Sequence, residues 1–325
     1  MEALTPEEHA LILNISQDQG TDEKTRRRAK AVVAFLASGN IEDAAAASGF
    51  TKPTTKKIVE KFTKFGWQSL LTVLAPRGGD FLARYDQGFW AERLTRVLLD
   101  RSSFVRAIPY GTSRSEPFTD LDTFRKYSVS EALLQAWSSG QRWKRPDLIL
   151  VPRTVLRERE GNDAWTPDLL HFDNDRCSEF VNISTAAIEV ETSLWQVKKA
   201  SVPLSFTVKE EDLGSLRNWV RGNHPPLYVL QVFYDQAYAL PFSKLEQLIR
   251  EGIVKAVPDR FTQKPTYNVP LAQGGLLGDI PEPEVEGRIF KAPNGRVTVY
   301  GRLTGSHIEP INMDLLEAIA KGQFQ

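Results

Sequence analysis

The chain has 325 residues, 41% of them hydrophobic and 25% charged, which excludes a long disordered, fibrous or low-complexity protein and leaves room for two globular domains. Its 41 basic side chains balance 41 acidic ones, and its single cysteine, Cys177, excludes an internal disulfide framework and fits a reducing compartment. The opening MEALTPEEHA lacks the basic and apolar regions of a signal peptide, and no run approaches the roughly 18 apolar residues of a membrane helix, so a cytoplasmic protein without membrane association is expected.

Zero net charge argues at first against a nucleic-acid partner, but the distribution is uneven. Between Thr21 and Gly66 there are ten Lys or Arg against five Asp or Glu. A docking face needs only local positive charge. A solvated basic helix pair would look the same.

The N-terminal part reads as helices alone. Thr21 or Asp22 caps a predicted helix from Glu23 to Ser38, with Ala31, Val32, Phe35 and Leu36 as its apolar stripe, and Gly39-Asn40 stops it. A short alanine-rich helix from Ile41 to Ala47 follows. After the turn Ser48-Gly49-Phe50, a third helix starts at Lys52 or Pro53 and runs to Phe65-Gly66. Pro76-Arg77-Gly78-Gly79 marks a domain boundary. Beyond it come predicted helices at Phe89–Asp100 and Val129–Ser138, separated by a polar loop over Gly111–Asp120. Strands are predicted at Leu148–Val151, Val181–Val190, Leu227–Tyr234 and Ala237–Leu240. Capping-box spacings at Thr207…Glu210 and Ser243…Glu246 announce two further helices. A last hairpin turns at Pro293-Asn294-Gly295. The fold class is therefore α/β (α+β), a mixed sheet flanked by helices behind an all-α N-terminal domain. The domains are drawn at 1–78, 79–280 and 281–325, the last an accessory hairpin and helix.

The stretch IEDAAAASGFTKPTTKKIVEKFTKFG resembles the helix-turn-helix of transposase-like and homeodomain-like DNA binders. That resemblance implies that Thr54, Thr55, Lys56 and Lys57 face the groove or phosphates, with Arg26, Arg27, Arg28 and Lys30 along the backbone. Three-helix bundles that contact only proteins share the pattern.

Two features carry chemistry. Lys144-Arg145-Pro146-Asp147 leads directly into LILV, and STAAIEVETS places Glu189 and Glu191 on one strand face while Ile188 and Val190 point to the other. Two carboxylates on an apolar strand are costly unless water or a divalent cation offsets them. A Pro-Asp entering one strand beside an acid pair on the next resembles the PD-(D/E)xK nuclease arrangement. The segment from about Arg145 to Arg250, including IEVETSLWQVKKASVPLSF and LYVLQVFYDQAYALP, resembles the C-terminal half of the catalytic domain of AccI-like Type II restriction endonucleases. The resemblance implies a restriction-endonuclease-like sheet, Mg²⁺ held by Asp147 and Glu189, cleavage of double-stranded DNA, a homodimer, and a cognate DNA methyltransferase in the same system. Where that family has lysine, this chain has Glu191. Either Glu191 serves as ligand or base, or Lys199 or Lys198 supplies the positive charge.

Alternatives stay open. Pro167-Asp168 competes with Asp147, which is preferred because an apolar strand follows it at once. The run Arg157-Glu158-Arg159-Glu160 reads as a hairpin tip or a DNA-contacting insertion, and Glu92 as a surface residue or a further acid. His171 and Asp175 show no zinc spacing, and Trp143, Trp195 and Trp219 read as core. A non-catalytic helix-turn-helix regulator is the competing function, and a transposase-like enzyme a third.

Overall fold

A computed structural model describes residues 6–17, 23–66, 68–71, 79–111, 145–163, 169, 174–222, 224–259, 263–291 and 297–325. The predicted helix at 129–138, the loop beyond Gly111, Trp143, Lys144, Asp168, His171, the side chain of Asp175 and the turn at 293–295 lie outside the described residues or side chains. The chain divides into two compact units, the first chiefly Met1–Pro76 and the second holding the sheet.

The first unit is helical: α1 (Pro6–Gln17), α2 (Glu23–Ser38), α3 (Ile41–Ser48), α4 (Lys52–Phe65) and the short α5 (Gln68–Leu71). The α2–α4 boundaries follow those legible in the sequence, because punctuation and pattern agree there. Asn40 caps α3 by accepting a hydrogen bond from the Glu42 N–H at 2.7 Å. Gly49 ends it with φ +67°, a conformation glycine adopts without cost. Ile12, Ile15, Ala29, Val32, Phe62 and Leu70 form the core.

Arg27 holds the turn between α3 and α4. Its Nε donates to the Ser48 carbonyl at 2.8 Å, its Nη2 donates to the Gly49 carbonyl at 2.5 Å, and its guanidinium lies 4.3 Å from the Phe50 ring centre. These bonds satisfy carbonyls that the end of α3 leaves without helical partners.

In the second unit six strands form a mixed sheet of order β1-β2-β3-β5-β6-β9: β1 (Val105–Pro109), β2 (Leu148–Pro152), β3 (Ala186–Thr192), β5 (Leu227–Val232), β6 (Gln236–Pro241) and β9 (Gly275–Asp279). Only β3 and β5 run parallel, joined through β4 (Ser205–Lys209) and the helix Glu210–Arg221. The other neighbouring pairs are antiparallel. One face carries Ile149, Val151, Ala187 and Val229 under Leu156, Phe180, Leu216, Trp219 and Leu245 from four helices, α7 (Arg153–Glu160), α8 (Asn174–Ile183), α9 (Glu210–Arg221) and α10 (Phe242–Arg250). The other carries Leu148, Leu150, Ile188 and Tyr228 against α6 (Gly79–Leu99) and α11 (Met313–Ala320). A small sheet β4-β8-β7, with β7 at Ala256–Pro258 and β8 at Pro265–Pro270, and the ribbon β10 (Glu284–Lys291) with β11 (Val297–Thr304) complete the strands.

Several predicted elements are corrected. Helix α6 begins at Gly79, ten residues before Phe89, because its buried row runs Leu82, Asp86, Trp90, Leu94, Leu98, and the acid at the second position breaks the apolar pattern in the sequence. The predicted strand Val181–Val190 is the end of α8 followed by β3. Phe180 and Val181 are buried from the helix, and a β-rich run concealed the boundary at Ser184. Neither capping box forms. Thr207 lies in β4, with its N–H and hydroxyl on Gln231, and Glu246 pairs with Arg217 at 2.9 Å. Residues 157–160 belong to a helix, with Arg159 on Glu179 at 2.8 Å, so they are no hairpin tip. The last helix is core rather than accessory, since Leu315, Leu316, Ile319 and Ala320 line the sheet. Trp219 is buried as expected, whereas Trp195 is exposed.

Replacing Arg27 with Ala removes two bonds to otherwise orphaned carbonyls and is expected to destabilise the helical unit by about 1–3 kcal/mol. Its half-buried neighbour Arg26 makes no such bonds, and Arg26→Ala is expected to cost less than about 0.5 kcal/mol. Urea unfolding followed by helical circular dichroism separates the two.

Candidate acidic site at the sheet end

Asp147 stands one residue before β2 and is held from three sides. Its carbonyl accepts the N–H groups of Tyr110 (2.9 Å) and Gly111 (3.1 Å), and its Oδ2 accepts the N–H of Val190 at 2.7 Å. A carboxylate thus extends the β2–β3 ladder at the point where main-chain pairing stops. Gly111 permits this packing, because a Cβ there would lie 3.0 Å from the Asp147 Cα and 3.1 Å from the Pro146 carbonyl. The β2–β3 register pairs Leu148 with Ile188, so one step outward Asp147 comes opposite Glu189. Side chains directly opposite across an antiparallel pair sit about 4.5–5.5 Å apart at Cβ.

Strand alternation sets the rest. Ala187 and Val229 belong to one core cluster and Ile188 to the other, so Glu189 and Glu191 share the face that also carries Asp147. Glu189 is 1% exposed and Glu191 half-buried, which matches a face that opens toward the end of the sheet.

Sequence reasoning missed Gln231. It is the β5 partner of Glu191 and is 0% exposed. Its Oε1 accepts the Thr207 N–H (3.0 Å) and hydroxyl (3.2 Å), which settles the amide orientation. Its Nε2 has no hydrogen-bond partner among the described residues. The signal was present in the sequence as one polar residue at an inward position of LYVLQV.

After β3 the chain is clamped. Ser193 N–H donates to the Val232 carbonyl (2.9 Å) and Tyr234 N–H to the Trp195 carbonyl (3.2 Å). The Asp235 carboxylate accepts the N–H groups of Val197 (2.7 Å) and Lys198 (3.0 Å). Lys198 Nζ lies 2.8 Å from Asp279, which also accepts from Gln236, and Gln236 in turn accepts from the Tyr238 hydroxyl. Hydrogen bonds from Lys198 and then Gln236 hold the Asp279 carboxyl below the ordinary aspartate range, while burial raises the Tyr238 phenol.

The expected site residues divide accordingly. Asp147 and Glu189 come together, with Glu191 on the same face. Among the described residues, however, no three His, Cys, Asp or Glu side chains form a metal-binding group. Lys198 is paired with Asp279, and Lys199 is exposed on the 3-10 turn Val197–Lys199. Glu92 is half-buried on α6. On the helical unit Thr54, Lys56 and Lys57 are exposed, but Thr55 is fully buried with its hydroxyl on the Thr51 carbonyl and cannot face outward. Arg27 is engaged in its turn, and Arg28 reaches the Leu70 carbonyl at 3.4 Å.

The lowered Asp279 carboxyl has a sign that can be checked. A depressed group contributes stability fully above its unfolded value, roughly 3.9, and loses it as pH falls through the folded value. The pair is partly exposed, so Asp279→Asn is expected to cost no more than about 1 kcal/mol near neutral pH. Denaturant unfolding from acid to neutral pH should show a flatter acid limb in the variant. Compared with known proteins, the chain matches no protein-family model, no curated protein and no solved structure.

Proposed function

We propose that this chain is a Mg²⁺-dependent endonuclease of the PD-(D/E)xK type, cutting both strands of DNA at a specific sequence as Type II restriction enzymes do. The observation that carries the reading is Asp147 opposite Glu189 across the β2–β3 ladder, with Glu191 two residues along the same face. The antiparallel β1-β2-β3 meander followed by a helical crossover to a parallel β5 supports it, because this order brings the start of β2 to the carboxyl end of β3.

The donor set suits Mg²⁺, a hard ion commonly bound through one or two carboxylates plus waters and a phosphate oxygen. Asp147 and Glu189 would hold it, and when bound it supplies polarisation and charge neutralisation at the scissile phosphate. The chain's own residues do the rest. Val190 N–H keeps the Asp147 carboxylate from rotating. Glu191 accepts a proton from the attacking water as its oxygen bonds to phosphorus and the bond to the leaving oxygen breaks. Gln231, its amide locked by Thr207, leaves a nitrogen donor on the same face for a water or phosphate oxygen. In this reading α3 and α4 act as a helix-turn-helix, with Thr54, Lys56 and Lys57 toward the duplex and Arg26 and Arg28 near its backbone. Two copies would act across the strands, beside a cognate DNA methyltransferase that protects the host's own sites.

A second reading, a non-catalytic DNA-binding regulator, is favoured by the engagement of Lys198 with Asp279 and by Glu191 standing where the nuclease pattern has lysine. Plasmid DNA incubated with and without Mg²⁺ decides between them. Discrete fragments that require Mg²⁺ support the nuclease, and persistently supercoiled plasmid supports the regulator.

Asp147→Ala and Glu189→Ala are each expected to lower cleavage by roughly a thousandfold, equivalent to about 4 kcal/mol of lost transition-state stabilisation, while DNA binding persists. Gly111→Ala, whose methyl would press on the Asp147 and Pro146 backbone, should displace Asp147 without removing it and give an intermediate loss of cleavage. Full cleavage by both Ala variants would overturn the assignment. Lys56→Ala with Lys57→Ala is expected to reduce the slope of log affinity against log salt by about two, measured by fluorescence anisotropy.

A further inference from the structure

The segment Ser193–Leu204 leaves β3 directly after Glu191 and Thr192. It displays three large apolar side chains in water: Leu194 at 52% exposure, Trp195 at 56% and Val202 at 58%. The backbone beneath Leu194 and Trp195 is not loose. Ser193 is tied to Val232, Trp195 to Tyr234, and Val197 and Lys198 to the Asp235 carboxylate, and the Lys198 side chain is anchored on Asp279. A rigid loop that presents an indole to solvent has given up its conformational freedom before any partner arrives, so a partner's binding energy is not consumed in ordering it. Nothing in the packing of the sheet requires a tryptophan at this position.

We propose that Leu194 and Trp195 form a platform on which a nucleobase, unstacked from the DNA strand held at the Asp147–Glu189 face, comes to rest. This rests on the nuclease reading of that face and adds the strand contact beside it. Position supports the choice. Trp195 is four residues from Glu191 on one continuous segment, and Ser193 is bonded to Val232 at the end of β5, where the shared face of β3 and β5 opens. Charge supports it as well, since Lys199 holds an exposed ammonium on the same loop, and cations interleaved with aromatics track a phosphate backbone while bases stack. Size separates the base from a protein partner. Three half-exposed side chains fall short of the roughly 800 Å² per partner that stable protein interfaces bury, whereas one indole matches one base. The flat aromatic surface accepts any base, so this contact adds affinity and strand placement rather than sequence readout.

The test uses the full chain in buffer containing Ca²⁺ in place of Mg²⁺, so that binding is read without cutting. The probe is a mixed-sequence oligonucleotide carrying 2-aminopurine, offered single-stranded and as a duplex. Trp195→Ala is expected to weaken single-strand binding ten- to a hundredfold and to abolish the quenching of 2-aminopurine, the range given by loss of one base–aromatic stack. Trp195→Phe should stay within about threefold of the parent, since it keeps a stacking ring. Circular dichroism of both variants should match the parent, as befits an exposed position. Unchanged affinity and unchanged quenching in Trp195→Ala overturn the proposal. So does a variant that binds the oligonucleotide normally but changes its oligomeric state in size-exclusion chromatography, which assigns the face to protein contact. Plasmid cleavage with Mg²⁺, run in parallel on the parent chain, reports on the nuclease reading separately: stacking without cleavage sinks that reading alone, and cleavage without stacking sinks this one alone.

Discussion

The arrangement at the acidic face depends on one hydrogen bond, from the Val190 N–H to Oδ2 of Asp147. It replaces a main-chain rung with a carboxylate, so β2 and β3 part at the very residue that brings its charge toward Glu189. It fixes the direction of the Asp147 carboxylate one residue outside β2. The two N–H groups from Tyr110 and Gly111 on its carbonyl, and the missing side chain at Gly111, make the same point from the other flank.

A carboxylate as deeply buried as Glu189 is expensive to keep ionised unless its surroundings offset the charge. The face balances this cost by position. Moving out along β3, Ala187 is buried in the core, Glu189 is at its margin and Glu191 is half in water. Gln231 repeats the same step on β5, a polar side chain at full burial beside the glutamate nearest the opening. Two hydrophobic layers allow such polarity, because both sheet faces are covered by helices and the sheet's cohesion does not depend on that end.

In the helical unit, positive charge and positive function part company. Arg27 belongs to a cluster of basic residues that reads as one surface, yet its guanidinium closes the turn between α3 and α4, and Thr55 lies in the interior. Of the residues expected on a DNA-facing surface, Lys30 on α2 and Thr54, Lys56 and Lys57 on α4 remain exposed. Successive residues on a helix are turned by about 100°, so a run of consecutive polar residues spreads round the axis and cannot all reach one partner.

The helices α2 to α4, the strands β2, β5 and β6, the final hairpin and the shared face of Glu189 and Glu191 were legible in the sequence, because each rests on local periodicity or on a glycine or asparagine at a chain end. The pairing of Asp147 with Glu189 could be anticipated only as a resemblance. Its register depends on strands separated by more than thirty residues. Edge strand β1, the small sheet around β8, the early start of α6 at Gly79 and the core role of the last helix were decided by tertiary packing, since their burial comes from partners distant in the chain. The same holds for Trp195 and Gln231. An indole in a loop and an amide in an apolar strand have no intrinsic preference strong enough to set their exposure, and the surrounding hydrogen bonds to Tyr234, Asp235 and Thr207 determined both.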